Sequence, residues 1–320
     1  MTAKTNFGPR KLLNLIYNMK NCWWLLLLCS LHLAAQVPTD STSQLHTDSS
    51  SKKVPCDTIT KIEYAKPKPF GFITHVPNDM WQIAKSPFKK ENTKGLIAVA
   101  ISTGVLIPFD QAIMDGVRDA SRKIHLHDET DYTVLVKSGT TKIFKIPNNL
   151  NSGLYQMGEG GTSMMVAGGL FIYGKIARDY RALQTASDLT ETFITMGVTT
   201  QILKRISGRQ SPFMSTQSGG AWHPFPSFHE YQVNTSNYDA FPSGHLATMM
   251  ATVTVLRENY PDNKWLPFVG YGLIGLTGWA MINTEVHWIG DYPLALALGY
   301  ISGKITCMRH KKPVEKLATL

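Results

Sequence analysis

The stretch AFPSGHLATMM, residues 240–250, decides how the chain is read. A proline and a serine precede a glycine, and an apolar run compatible with a helix follows. Ser243 is placed as an N-cap, its hydroxyl oxygen taking an amide of the first helical turn. The same turn has a second use. The first amides of a helix have no acceptor one turn back, and with the positive end of the helix dipole they accept an anion as readily as a cap. Gly244 lets that backbone come close to a ligand's oxygens, and His245 stands one residue into the helix. A helix start and a phosphate-binding turn are compatible readings of one stretch.

Outward from it, the apolar segments are long, separated by polar loops and rarely alternating, which predicts helices over strands. Expected helices cover roughly 93–109, 161–177, 185–206, 244–259, 265–282 and 291–307, so the fold class is all-α, a bundle of about six core helices. Asp188 and Thr190 are candidate caps for the third. The small residues of GYGLIGLTG, 270–278, allow close helix approach in a membrane or in a tight soluble bundle.

Composition narrows the function classes. The chain has 320 residues, 43% of them hydrophobic, enough for a substantial core, and a formal charge of +9. The first 35 residues hold four of the 32 basic side chains and no acid, so without them 28 bases face 23 acids, a net of +5. Lys and Arg do not alternate with aromatics along one face, which argues against nucleic acid as a partner. A mild positive excess suits an anionic small molecule or lipid headgroup. MKNCWWLLLLCSLHLAAQV, 19–37, has the basic start, short apolar run and small residues of an export signal, so residues 1–35 are expected to be cleaved and the protein to reach the periplasm or cell envelope. Residues 36–57 are rich in Ser, Thr and Asp and read as a flexible linker. Residues 58–159 form an N-terminal helical and irregular region, in which HDETDYTVLVKSGTTKIFKIPNN, 127–149, reads as an irregular or short-strand insertion; 160–307 is the helical core and 308–320 a basic tail. Cys56 and Cys307 would remain after cleavage and are able to pair in an oxidising compartment. The mean hydropathy of −0.11 is low for a chain crossing the membrane many times, so a soluble or peripherally membrane-attached protein is expected.

Three stretches carry the chemistry: LKRISGRQSP (203–212), FPSGH (241–245) and EVHWIGD (285–291). Each alone has an ordinary reading, as solvated charges, a cap and a helical surface pair. Their order and spacing suit phosphoryl transfer from a monoester, which needs donors and cations for the phosphoryl oxygens, an in-line nucleophile and an acid for the leaving oxygen. Lys204 supplies a point charge; Ser243 and the amides of Ser243 and Gly244 form the anion turn; His245 protonates the leaving alkoxide. His287 and Asp291, four apart on an expected helix face, form a nucleophile with the carboxylate that holds its tautomer. This chemistry needs no metal and no cofactor.

The order K…P, PSGH, HxxxD resembles the type 2 phosphatidic-acid phosphatase family, over about residues 160–307. The resemblance implies the helical-bundle fold shared with bacterial acid phosphatases and vanadium haloperoxidases, and a phosphate-ester substrate, lipid-linked. It implies phosphate binding by Lys204, Ser243 and Gly244, a general acid at His245, a phosphohistidine at His287 and its partner at Asp291. Two positions depart from the pattern. The family's K-x6-R-P has Ser211 in its arginine slot, and its S-R-x5-H-x3-D has Ala280 and Met281 for the Ser-Arg pair. A hydroxyl or thioether does not replace a bidentate guanidinium, and each lost contact is worth about 1.5 to 3 kcal/mol. Arg209, after a Gly208 able to end the helix, is the expected substitute phosphate ligand. A catalytically weakened relative that binds an anionic headgroup and a vanadate-dependent haloperoxidase are the alternative readings.

Overall fold

The computed structural model describes residues 64–139 and 141–310. The expected signal, the linker with Cys56, and the tail beyond 310 lie outside them. Within them the protein is helical apart from one hairpin. The elements are α1 (Val76–Lys85), α2 (Thr93–Leu106), α3 (Asp110–Lys123), β1 (Tyr132–Ser138), β2 (Thr141–Pro147), α4 (Leu150–Met157), α5 (Gly160–Ala177), α6 (Tyr180–Ser207), α7 (Phe228–Val233), α8 (Gly244–Asn259), α9 (Trp265–Asn283) and α10 (Tyr292–Met308). The six expected core helices match α2, α5, α6, α8, α9 and α10, with ends shifted by a few residues.

The largest shift is at α6, which begins at Tyr180. Its cap is Asp179, whose carboxylate accepts from the amides of Arg181 and Ala182, after Arg178 has closed α5 in the left-handed conformation. Asp188 and Thr190 are therefore not caps. Both lie inside the helix, where Thr190 donates to the Ala186 carbonyl and Asp188 is fully buried.

The bundle centres on α8, which α10 and α6 cover on two sides. Close approach is built into α10: a Cβ on Gly299 would come within 2.3 Å of the Ala247 carbonyl oxygen, and one on Gly303 within 2.9 Å of Thr254 Cβ. The core between the helices holds Met196, Leu246, Met249, Val253, Ile274, Met281, Ile282 and Trp288. Each such side chain, fully withdrawn from water, contributes about 1.5 to 3 kcal/mol.

The insertion at 127–149 is an antiparallel hairpin pairing Tyr132 with Pro147 and Ser138 with Thr141. Lys145 on β2 pairs with Glu159 at 2.7 Å and its carbonyl accepts from Gln156, tying the hairpin to the α4–α5 corner. The outer faces are apolar. Phe171, Ile172 and Ile176 on α5, Val198, Ile202 and Ile206 on α6, and Trp265, Phe268 and Val269 on α9 are exposed. Among the described residues, two segments are long and apolar enough to cross a membrane, Lys90–Lys123 and Trp265–Asn283; an apolar 18-residue window is 6% buried in the first and 39% in the second.

Candidate active site

The three stretches meet where α6 ends and α8 begins. Ser243 caps α8, its hydroxyl oxygen accepting from the Leu246 amide at 3.4 Å. Its own amide donates to the Asp291 carbonyl at 3.2 Å, which ties the two motifs together and removes that amide from the expected anion turn. The amides of Gly244 and His245, first in the helix, have no carbonyl one turn back. Lys204, in the last turn of α6, faces them: a Cβ added to Gly244 would stand 3.6 Å from its Nζ.

His287 is buried in the segment between α9 and α10, and Asp291 closes a 3-10 turn over Ile289–Asp291. The expected shared helix face is thus replaced by a loop and a turn, although the two side chains still approach to 3.5 Å between Nδ1 and Oδ2. The shorter contact of His287 is Nδ1 to the Ala240 carbonyl, 2.9 Å, and because a carbonyl only accepts, the proton is on Nδ1. Nε2 is then the bare nitrogen, and it lies 3.4 Å from His245 Nδ1. The His245 ring is held edge-on to Tyr155, with centroids 4.9 Å apart. Gly158 lets α4 pass so close that a Cβ there would stand 2.8 Å from His245 Cβ.

Burial keeps both imidazoles neutral. It pushes His287 down to about 3, helped by Lys204, and pushes His245 well below its ordinary value, helped by His287 and Lys204. Asp291 is pushed up to about 6 by burial, against the pull of the Arg209 guanidinium.

Arg209 is where the sequence-based expectation needs correction. Gly208 ends α6 with a positive φ of 57°, as expected, but the freed arginine turns inward. Its Nη1 donates to Asp291 at 2.6 Å, its Nη2 to Asp110 and to the Gly219 carbonyl, and it lies over Trp222 and Trp288. The side chain is wholly buried, with no face left for phosphate. It is a brace, because two carboxylates outcompete a ligand for its fork. Asp110, which the sequence reading missed, completes the brace by accepting from the Gly290 amide at 2.8 Å, so α3 fixes the turn that carries Asp291.

The substituted slots are filled by other means. Met281 lies fully buried in the apolar core. Ser211 faces a further residue absent from the motif reading, Asp239, whose Oδ1 lies 3.4 Å from the serine hydroxyl and whose Oδ2 lies 3.5 Å from Lys204 Nζ. Cys307 is a buried thiol 3.7 Å from Asp188. Among the described residues, His, Cys, Asp and Glu form no group of three or more suited to a metal ion.

Residues 186–313 match the model of the PAP2 superfamily. This part of the chain is similar to that superfamily. A 68-residue stretch is 31% identical to a lipid A 1-phosphatase of Porphyromonas gingivalis, covering 21% of this chain and 15% of that protein. The chain thus matches only a small part of its curated relative's length. No solved structure matches it. All of the PAP2 motif positions, from Lys204 to Asp291, fall inside the matched region.

Proposed function

We propose that this protein is an envelope phosphatase that hydrolyses phosphate monoesters or pyrophosphates carried on a lipid, through a phosphohistidine at His287. The observation that carries the reading is the imidazole pair: the Ala240 carbonyl holds the His287 proton on Nδ1, leaving Nε2 bare beside His245, Lys204 and the start of α8. Nε2 attacks phosphorus while Lys204 and the amides of Gly244 and His245 take up the charge on the phosphoryl oxygens. His245, which takes up a proton as the anion binds beside it, gives that proton to the leaving oxygen and then takes one from the water that releases phosphate. Because the two rings touch, a phosphoryl group enters between them only as the His245 ring swings aside.

A lipid substrate is supported by the approach to the site. A groove of about 250 Å³ has Phe193, Met196 and Gly197 on its wall beside Glu159, Thr200 and Gln201, and it reaches Lys204, Gly244 and His245. It opens beside the apolar outer faces of α5 and α6, a surface suited to membrane association.

Turnover of a chromogenic phosphate ester and of phosphatidic acid, each beside His287→Ala, tests the reading. The variant is expected to lose at least about a thousandfold in kcat/KM. Undiminished turnover in His287→Ala refutes His287 as nucleophile, and no turnover in the parent protein leaves the weakened relative that only binds phosphate.

A further inference from the structure

Asp239 is an acid inside a site otherwise arranged for an anion, and the chemistry proposed above does not use it. Its carboxylate stands between Ser211 and Lys204, which lines the groove, and it is 28% exposed where Lys204 is 8% exposed. The backbone of Asp239 bridges to Arg209, while Ala240 next to it holds His287, so the carboxylate is fixed relative to the nucleophile. One lysine and one carboxylate make a nearly neutral pair. A doubly charged phosphoryl group entering there sets an oxygen lone pair against a carboxylate oxygen, with no proton between them. A singly charged one carries a P–OH, which satisfies the carboxylate and leaves two oxygens for Lys204 and the helix amides.

We propose that Asp239 is a selectivity residue: its carboxylate accepts a hydrogen bond from the P–OH of a singly charged phosphoryl group held by Lys204 and the start of α8, and it turns away the doubly charged form. The inference rests on the reading of this pocket as a phosphate site. The groups facing Asp239 are Lys204 on α6, Ser211, His287, Tyr155 on α4 and Tyr231 on α7. His287 stays neutral down to about pH 3, and burial pushes Tyr155 and Tyr231 up to about 12. Burial pushes Asp291, behind His287, up to about 6.

The probe is methylphosphonate, a mimic that cannot be hydrolysed, titrated calorimetrically into the protein from about pH 5 to about pH 9, across its second ionisation. Above that ionisation the Kd of the parent protein is expected to rise about tenfold per pH unit, because only the monoanion binds. In Asp239→Asn, whose amide can donate to a dianion, the slope is expected to fall below about threefold per unit. A flat profile in the parent protein, an unchanged slope in the variant, or no binding at any pH overturns the proposal. A second measurement needs no variant. Sulfate has the same shape and no proton at these pH values, so the parent protein should bind it at least about a hundredfold more weakly than methylphosphonate at about pH 5, and equal binding overturns the proposal. These readouts are separate from turnover: the slope and the sulfate discrimination can stand in a protein that hydrolyses nothing, and a working phosphatase can lack both.

Discussion

Two clusters of buried charge lie toward opposite ends of α6, roughly 24 Å apart by helical rise, and they differ in what they leave unsatisfied. Near the start of the helix, the Arg309 guanidinium bridges Asp79 and Glu191; Thr306 donates to Asp79 at 3.3 Å; Gln184 and Asn259 donate to Asp188 at 2.8 and 3.0 Å. Near the end, Lys204 reaches one carboxylate at 3.5 Å, two helix amides have no intrahelical acceptor, and a bare imidazole nitrogen lies behind His245, which lines a groove. The first cluster binds α1, α6 and α10 together through ion pairs and hydrogen bonds among its own groups. The second has donors in excess, which is what an anion requires. Buried charge alone does not mark a site; an unmet hydrogen-bonding demand that opens to solvent does.

The sharpest way to break this comparison lies in its two arginines. Arg209 belongs to the pocket end but is built like the far cluster, a guanidinium between two carboxylates. Arg209→Met leaves Asp110 and Asp291 buried without their cation, and the expected loss is about 3 to 5 kcal/mol in denaturant unfolding together with most of the kcat, as the turn bearing Asp291 loosens. Arg209→Lys keeps the charge and loses the fork, so the fall in kcat should persist with a smaller loss of stability. If the variants keep kcat and lose affinity for phosphate, Arg209 is a phosphate ligand after all. Arg309→Met is the counterpart. Its side chain is 23% exposed, so water relieves part of the penalty and the expected loss is about 1 to 3 kcal/mol, with kcat/KM unchanged in the molecules that remain folded. A drop in kcat/KM there would mean that the far cluster is coupled to the pocket.

What could be read in the sequence follows the range over which each feature is determined. The PSGH turn, its cap and the helices around it depend on neighbours within a few residues and on long apolar runs, and they are found close to where expected. The start of α6 was misplaced because TASDLTET resembles a capping sequence, while the true cap Asp179 depends on Arg178 adopting a left-handed backbone. α3 is hard to read because DQAIMDGVRDASRK mixes three acids, three bases and a glycine among its apolar residues, and its Asp110 looks like a surface residue until Arg209, 99 positions away, is placed beside it. The role of Arg209 was out of reach for the same reason. Helical phase could say that it leaves the face of Lys204, but not that two carboxylates wait where it arrives. Asp239 lies four residues before Ser243, within easy sight, and only its placement between Lys204 and Ser211 gives it a meaning.

The smallest expected effect tests the pocket end at its centre. Gly244 has no positive φ, so alanine is tolerated by the backbone, and the added methyl would make an ordinary contact with Lys204, 3.6 Å from Nζ and 3.8 Å from Cε. Gly244→Ala should therefore leave stability within about 0.5 kcal/mol of the parent protein. The methyl nevertheless fills the space between the ammonium and the first amides of α8, where a phosphoryl oxygen has to touch both. The expected result is about a tenfold weaker Kd for methylphosphonate, about 1.4 kcal/mol, appearing in KM more than in kcat because the contact forms on binding and is kept in the transition state. An unchanged Kd would mean that the anion does not sit between Lys204 and the helix, and the excess of donors at this end would then serve something other than phosphate.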